Sequence, residues 1–288
     1  MISYVDRVQI VVPDREAATR QWEALFGAVK ISDGESRFLA AHITTVQAGT
    51  SLFEFLEPSG PGVVQEWQRK WGQGLYGVGF ATPDMDAVKR HFVSQKVRTV
   101  EERGELFLDH DQTHGMPTVI VPETARDRVG TISHLYEVTN PVVDWQATSA
   151  LYTRLFAFDP TRYSAIESKL YGYRGTLTLF DPPARLDRIE ITETWGDMAM
   201  DRFFKKRGPS LYMCYVETDD VPALAERLRA AGARFTDSED RPPETGLFIH
   251  PSSLFGMLMG VSRKDFAWVW SGRPELAGPG AAENYQAH

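Results

Sequence analysis

A single cysteine, Cys214, stands in 288 residues, so no disulfide can close within the chain and no cysteine-rich zinc site can be assembled. No apolar run extends far enough to cross a bilayer as a helix. The opening segment, MISYVDRVQIVVPDRE, lacks a basic stretch followed by an apolar one. A phosphate-cradling glycine loop, a serine nucleophile elbow and a nicotinamide fingerprint are missing as well. There is no basic excess: the formal charge is −8, with both signs interspersed, which leaves no electrostatic footprint for a nucleic acid or an anionic membrane. These absences predict a cytoplasmic protein in a reducing compartment, with small molecules or other protein chains as partners.

What the chain does have is a hydrophobic content of 42%, enough for a core in each of two domains. It also repeats itself. In the first copy VDRVQIVV alternates with period two, Pro13 and Asp14 open a helix, Ala18, Trp22, Leu25 and Phe26 form its apolar stripe, and Gly27 ends it. A second copy, GLYGVGFATPDMDAV, places Met85, Val88 and Phe92 on one helical face. The third, SHLYEVTNP, runs into a helix with Ala147, Leu151, Leu155 and Phe156, although Glu137 breaks the strand's alternation. In the fourth, SLYMCYVETDDVPAL, Val221, Leu224, Leu228 and Ala231 share a face. After each helix the sequence turns β-rich: SLFEFLEP, MPTVIVPE, RIEITETW and FGMLMGVS. The pattern predicts an α+β protein of four βαβββ modules paired into two domains, residues 1–127 and 128–265. A tail, 266–288, would begin with aromatic residues packed on the body and end in a mobile Gly, Ala and Pro segment.

LFEFLEPSGPG, the two strand-to-helix openings and FIHPSSLFGM, in this order, resemble the vicinal-oxygen-chelate superfamily of glyoxalases, bleomycin resistance proteins and extradiol dioxygenases, in its two-domain, four-module form. The resemblance implies mixed sheets curled into cups and a divalent metal held by residues of the first and fourth strands of paired modules. It also implies a homodimer. Aligned on those phrases, the N-terminal cup offers Arg7, Glu54, Gly77 and Val119, a set with too few donors for a transition metal. Arg7 and Glu54 are expected to form a salt bridge that plugs this cup. The C-terminal cup offers His134, Glu190, Met213 and Gly260, two ligands of four, where a metal would need a substitute donor such as Glu217 or Tyr215.

The expectation is therefore a small-molecule enzyme, a lyase or isomerase acting on a carbonyl or phenolic compound in the C-terminal cup. His134 would be the base, Glu190 the carboxylate that orients it, and Tyr215 an acid. Tyr136, Met213, Glu217 and His250 would line the substrate, with Tyr136 stacking on an aromatic one; His250 equally suits a hairpin cap. Two alternatives stand beside it. One is an extradiol-type dioxygenase or other metal enzyme in which His134 and Glu190 hold the ion. The other is a binding protein that sequesters a small molecule without turnover. Cys214 falls on the face opposite the cup, which argues against a nucleophilic thiol.

Overall fold

The computed structural model describes residues 1–237 and 244–277. The Gly, Ala and Pro end of the tail lies outside them. The first half runs β1 (Tyr4–Val11), α1 (Arg15–Phe26), β2 (Val29–Ser36), β3 (Ala41–Ala48), β4 (Ser51–Pro58), α2 (Val63–Trp71), β5 (Gly74–Thr82), α3 (Met85–Ser94), β6 (Val100–Glu102), β7 (Glu105–Leu108) and β8 (Thr118–Pro122). The second runs β9 (Leu135–Pro141), α4 (Trp145–Phe156), β10 (Ser164–Ser168), β11 (Tyr173–Leu177), β12 (Arg188–Thr194), α5 (Ala199–Arg207), β13 (Met213–Thr218), α6 (Val221–Ala230), β14 (Phe235–Asp237), β15 (Gly246–Ile249) and β16 (Leu258–Arg263).

Each half forms one eight-stranded mixed sheet, in the orders β2-β3-β4-β1-β5-β8-β7-β6 and β10-β11-β12-β9-β13-β16-β15-β14. The fold is α+β and is built from four modules. The repeated Asp turn has a plain cause. Asp14, Asp84, Asp144 and Asp220 each accept a hydrogen bond from the backbone N–H three residues on, which satisfies a first-turn donor of α1, α3, α4 and α6. At the other end of α1, Gly27 adopts φ 66°, a left-handed conformation that closes the helix without strain. The short helices α2 and α5, which join the paired modules, have no counterpart in the strand-and-helix pattern read from the sequence.

The apolar faces of α1, α3, α4 and α6 pack on the outer faces of both sheets. One continuous core cluster runs through the two halves, from Val8, Trp22 and Phe55 to Val138, Phe156 and Val216. Cys214 is buried in it, its thiol 3.7 Å from Met257 Sδ, and burial pushes that thiol's pKa up, so the thiol has no nucleophilic role. Among the hydrogen bonds that join the halves, two occupy matching positions. Val5 N–H donates to Asp187 Oδ1 (2.7 Å), and Leu135 N–H donates to Ser51 Oγ (2.9 Å).

The inner faces carry separate clusters, and the second includes the start of the tail. Phe266–Ser271 forms a 3-10 turn that buries Phe266, Ala267, Trp268 and Val269 against Tyr136, Leu177, Met213 and Tyr215. The expected aromatic packing of the tail is thus present, against the inner face of the second sheet.

A β-bulge decides which residues face that cup. β13 pairs with β9 at Tyr215↔Glu137 and next at Val216↔Leu135, so Tyr136 is an extra residue on its strand. Asp6 plays the same part in β1, between the pairs Val5↔Phe80 and Arg7↔Gly79. A bulge puts two successive residues on one side of a sheet. Tyr136 joins the inner cluster, and Glu137 meets inner-face side chains, while Leu135 and Val138 belong to the outer one.

The registers also fix which positions of the two halves correspond. Arg7 lies opposite Leu52 and Gly79, as Glu137 lies opposite Arg188 and Tyr215. Gln9 lies opposite Glu54 and Gly77, as Thr139 lies opposite Glu190 and Met213. The counterpart of Arg7 is therefore Glu137. His134 was assigned that place from the sequence and sits three residues earlier.

Candidate functional site

The N-terminal cup is closed by charge. Arg7 Nη1 donates to Glu54 Oε1 (2.6 Å) and to Glu105 Oε1 (2.9 Å), and its Nε donates to Asp6 Oδ2 (2.8 Å). Gln9 Nε2 donates to the other Glu54 oxygen at 2.9 Å, and Arg126 completes Asp6 at 2.6 Å. Burial alone would lower the Arg7 pKa, but the carboxylates of Glu54, Asp6 and Glu105 outweigh it and raise it. The expected Arg7–Glu54 salt bridge is there, and it leaves neither side chain free to anchor a substrate.

The C-terminal cup has the opposite arrangement. A carboxylate, Glu137, stands where Arg7 does, and the arginine comes from the neighbouring strand, where Arg188 replaces Leu52. Arg188 Nε donates to Glu137 Oε2 at 2.6 Å, and Nη1 makes a long contact with Leu186 O, 3.4 Å. Its guanidinium lies over the Tyr136 ring, 4.9 Å from the centroid. Glu190 takes one hydrogen bond from Thr139 Oγ1, 2.9 Å, and its carboxyl also meets that of Glu137. Two atoms of this group lack a donor or acceptor of the ordinary kind: Glu190 Oε1, which no N–H or hydroxyl reaches, and Arg188 Nη2. Burial first, and then the Glu137 carboxyl beside it, push the Glu190 pKa well above its usual range. Both causes favour the protonated form of Glu190.

The wall around this group is aromatic. Tyr136 and Tyr215 stack with ring centroids 6.0 Å apart, Phe248 meets Tyr215 edge-on at 5.9 Å, and Trp270 approaches it at 6.3 Å. The Tyr136 hydroxyl is bonded to Ser262 Oγ (3.0 Å). Tyr215 has its place because position 260 is glycine: a β-carbon there would sit 2.1 Å from the ring.

His134 does not meet Glu190, which corrects the dyad expected from the sequence. Glu190 is opposite Thr139, five residues along β9 from His134, about 15 Å at the usual rise per residue. The carboxylate beside His134 is Glu217, with Oε2 3.7 Å from Nδ1, while Glu217 Oε1 accepts the backbone N–H of Asp265 at 3.0 Å. Burial pushes Glu217 up to about 7 and pushes His134 down. Burial thus works against the charged form of both groups where they meet. Glu217 was expected only to line the substrate. The signal that could have found the pair is the spacing itself, since His134 precedes β9 as Glu217 nears the end of the antiparallel β13.

His250 stands apart from this cup. It is exposed and its Nδ1 accepts the Ser252 backbone N–H at 3.1 Å, capping the 3-10 turn Pro251–Ser253. Met213 is buried in the inner cluster. Glu137 and Arg188 were missed, because a Glu that spoils alternation and an Arg two residues before a candidate ligand carry no metal-site pattern.

Two family models cover the two halves. Residues 6–111 and 132–259 each match a model of the Glyoxalase/Bleomycin resistance protein/Dioxygenase superfamily. The chain belongs to that superfamily. Among solved structures, a mutant of 4-hydroxymandelate synthase from Streptomyces coelicolor is similar over 91% of this chain and 92% of its own, with TM-score 0.68 and 13% identity. A fusion protein of a xylose isomerase-like TIM barrel with 4-hydroxyphenylpyruvate dioxygenase is similar over 91% of this chain and 49% of its own, with TM-score 0.62 and 11% identity. Methylmalonyl-CoA epimerase from Streptomyces coelicolor aligns with 43% of this chain and 100% of its own, at TM-score 0.39 and 23% identity. At these identities the likeness is one of fold. No curated protein matches.

The divalent metal implied by the superfamily does not fit the residues present. The corresponding positions of the C-terminal cup hold Glu137, Glu190, Met213 and Gly260, and Glu137 is already bonded to Arg188. Among the described residues, no three of His, Cys, Asp and Glu converge on one point. A closed or catalytic metal site wants about three protein donors.

Proposed function

We propose that this protein is a metal-independent enzyme that moves a proton on a small carbonyl or phenolic compound, as a lyase or isomerase, in its C-terminal cup. The observation that carries the reading is the buried Glu190 carboxyl meeting that of Glu137, with Arg188 bonded to Glu137, set against an N-terminal cup in which the corresponding Glu54 has both oxygens bonded to protein donors. One cup is saturated. The other keeps a proton that is buried yet bound to a group able to give it up, which is what general acid catalysis at neutral pH requires. The Glu137 carboxylate would take the proton from the carbon beside the carbonyl as Glu190 donates its own to the developing oxyanion and Arg188 holds that oxygen in place; return of the two protons, one to carbon and one to Glu190, closes the cycle. His134, partly exposed beside the buried Glu217, would restore the proton between turnovers.

The test is solvent exchange. Carbonyl compounds with a C–H beside the carbonyl, aryl ketones among them, are incubated with the protein in D2O and followed by proton NMR. Deuterium should enter at that carbon at a rate proportional to protein, and Glu190→Gln should slow it at least a hundredfold, the range of one general acid. Exchange at the wild-type rate in Glu190→Gln would end the proposal. Saturable binding with no exchange would point instead to a sequestering role, which the aromatic wall also suits.

A further inference from the structure

Helices α1 and α4 start on equivalent caps, Asp14 and Asp144, so Arg15, Glu16, Arg20 and Ala24 of α1 correspond to Trp145, Gln146, Ala150 and Arg154 of α4. The two faces have opposite chemistry. On α1 the face is tied to β2 by ion pairs: Lys30 Nζ lies 3.2 Å from Glu16 and 2.8 Å from Asp33, and Arg15 reaches Asp33 at 3.4 Å. On α4 those charges are replaced, and a groove of about 440 Å³ opens between the helix and Pro160 and Tyr163 of the turn that follows it. That volume falls within the range of small-molecule sites, roughly 300–1,000 Å³.

The wall of the groove is largely apolar, from Trp145, Ala150, Pro160 and the ring of Tyr163. The Tyr163 hydroxyl is turned to Thr153 Oγ1, 2.7 Å away, whose own proton is spent on Ser149 O. Arg154 is the single charged side chain in the lining, and among the described residues no carboxylate pairs with it. Asp159 and Glu193, which adjoin the lining residues, are engaged by Arg162 at 3.5 Å and by Arg174 at 3.0 Å. From Trp145 to Arg154 the helix advances about 13 Å, so the groove is long and carries its cation at one end.

We infer that this groove binds an amphipathic organic anion, a medium-chain alkyl carboxylate, with the carboxylate on Arg154 and the chain lying along α4 toward Trp145. A guanidinium takes both oxygens of a carboxylate. The chain then displaces water along a wall with no other charge to desolvate. The matching face of α1 excludes such a ligand, because Lys30 and Asp33 already cover it with ion pairs. No lining residue belongs to the C-terminal cup, so the site stands independently of the proton transfer proposed there.

The experiment titrates the intact chain by calorimetry with octanoate, octanol, octylammonium and acetate. Octanoate should bind one molecule per chain and roughly fivefold more tightly than octanol, the range of one exposed ion pair, and acetate should not bind measurably. Octylammonium separates the groove from adsorption elsewhere. A formal charge of −8 draws the cation to the surface at large, so non-specific binding ranks octylammonium first, whereas the groove ranks it last of the three chain compounds. Arg154→Gln should weaken octanoate roughly fivefold and leave octanol unchanged. Ala150→Glu, which sets a carboxylate in the groove, should abolish octanoate binding. Both positions are exposed on the helix and both replacements are good helix formers, so an unchanged melting temperature is expected of each. The ranking of octylammonium needs no variant.

Octylammonium bound as tightly as octanoate would overturn the inference, as would octanoate affinity untouched by Arg154→Gln or no saturable binding to the wild type. A dimer in sedimentation that Ala150→Glu splits would give the groove to a second copy of the chain and overturn it equally.

Discussion

Replacing Glu217 by Gln should change how stability depends on pH, by an amount that follows from where the side chain sits. The carboxyl is buried beside His134 with only the Asp265 N–H as a donor, and its pKa rises from 4.5 to about 7. At about 1.4 kcal/mol per unit, the gap amounts to roughly 3 kcal/mol. Because the folded pKa is the higher one, the folded state holds the proton more tightly than the unfolded chain does. The group's contribution is therefore whole below pH 4.5, falls as the pH rises, and is gone above about 7. Glutamine keeps a carbonyl to accept the Asp265 N–H and cannot ionise. Urea midpoints measured from pH 4.5 to 8 for both proteins should diverge, with the variant gaining roughly 3 kcal/mol on the wild type across that range. Glu190, whose pKa is also raised, is common to both proteins and drops out of the difference. Parallel profiles would show that Glu217 is solvated in the folded protein, and its burial beside His134 would have to be abandoned.

Two further outcomes test the contrast between the cups. Arg7→Met should lose about 3–5 kcal/mol, because Glu54, Glu105 and half of Asp6 are left without their cation, and adding Glu54→Gln should recover part of it; a melting temperature unchanged by Arg7→Met would mean that the network is not what closes the N-terminal cup. Gly260→Ala should cost about 1–3 kcal/mol and displace Tyr215, since the new methyl would lie 2.1 Å from the ring; near-ultraviolet circular dichroism with an unchanged aromatic signal would refute this packing.

Several features of this protein are local and so were legible in the chain. Four Asp-capped helices, each following an alternating strand, need only neighbours in sequence, and their repetition is enough to give four modules and two sheets. The outward burial of Cys214 and the Arg7–Glu54 bridge followed from strand parity, which holds as long as a strand is regular. Parity fails at a bulge. Tyr136 is an extra residue that no pattern of apolar and polar letters announces, and it moves the inner position of β9 from His134 to Glu137. Pairing across strands then settled the rest: Arg188 and Glu190 reach Glu137, and Glu217 reaches His134, through contacts between residues as many as 83 apart. Sequence by itself determined the modules, their order and their helical ends, because these are set by backbone hydrogen bonds within a few residues. Only the tertiary structure decided which carboxyl groups meet, because that depends on strand register and burial, and both are properties of the assembled sheet.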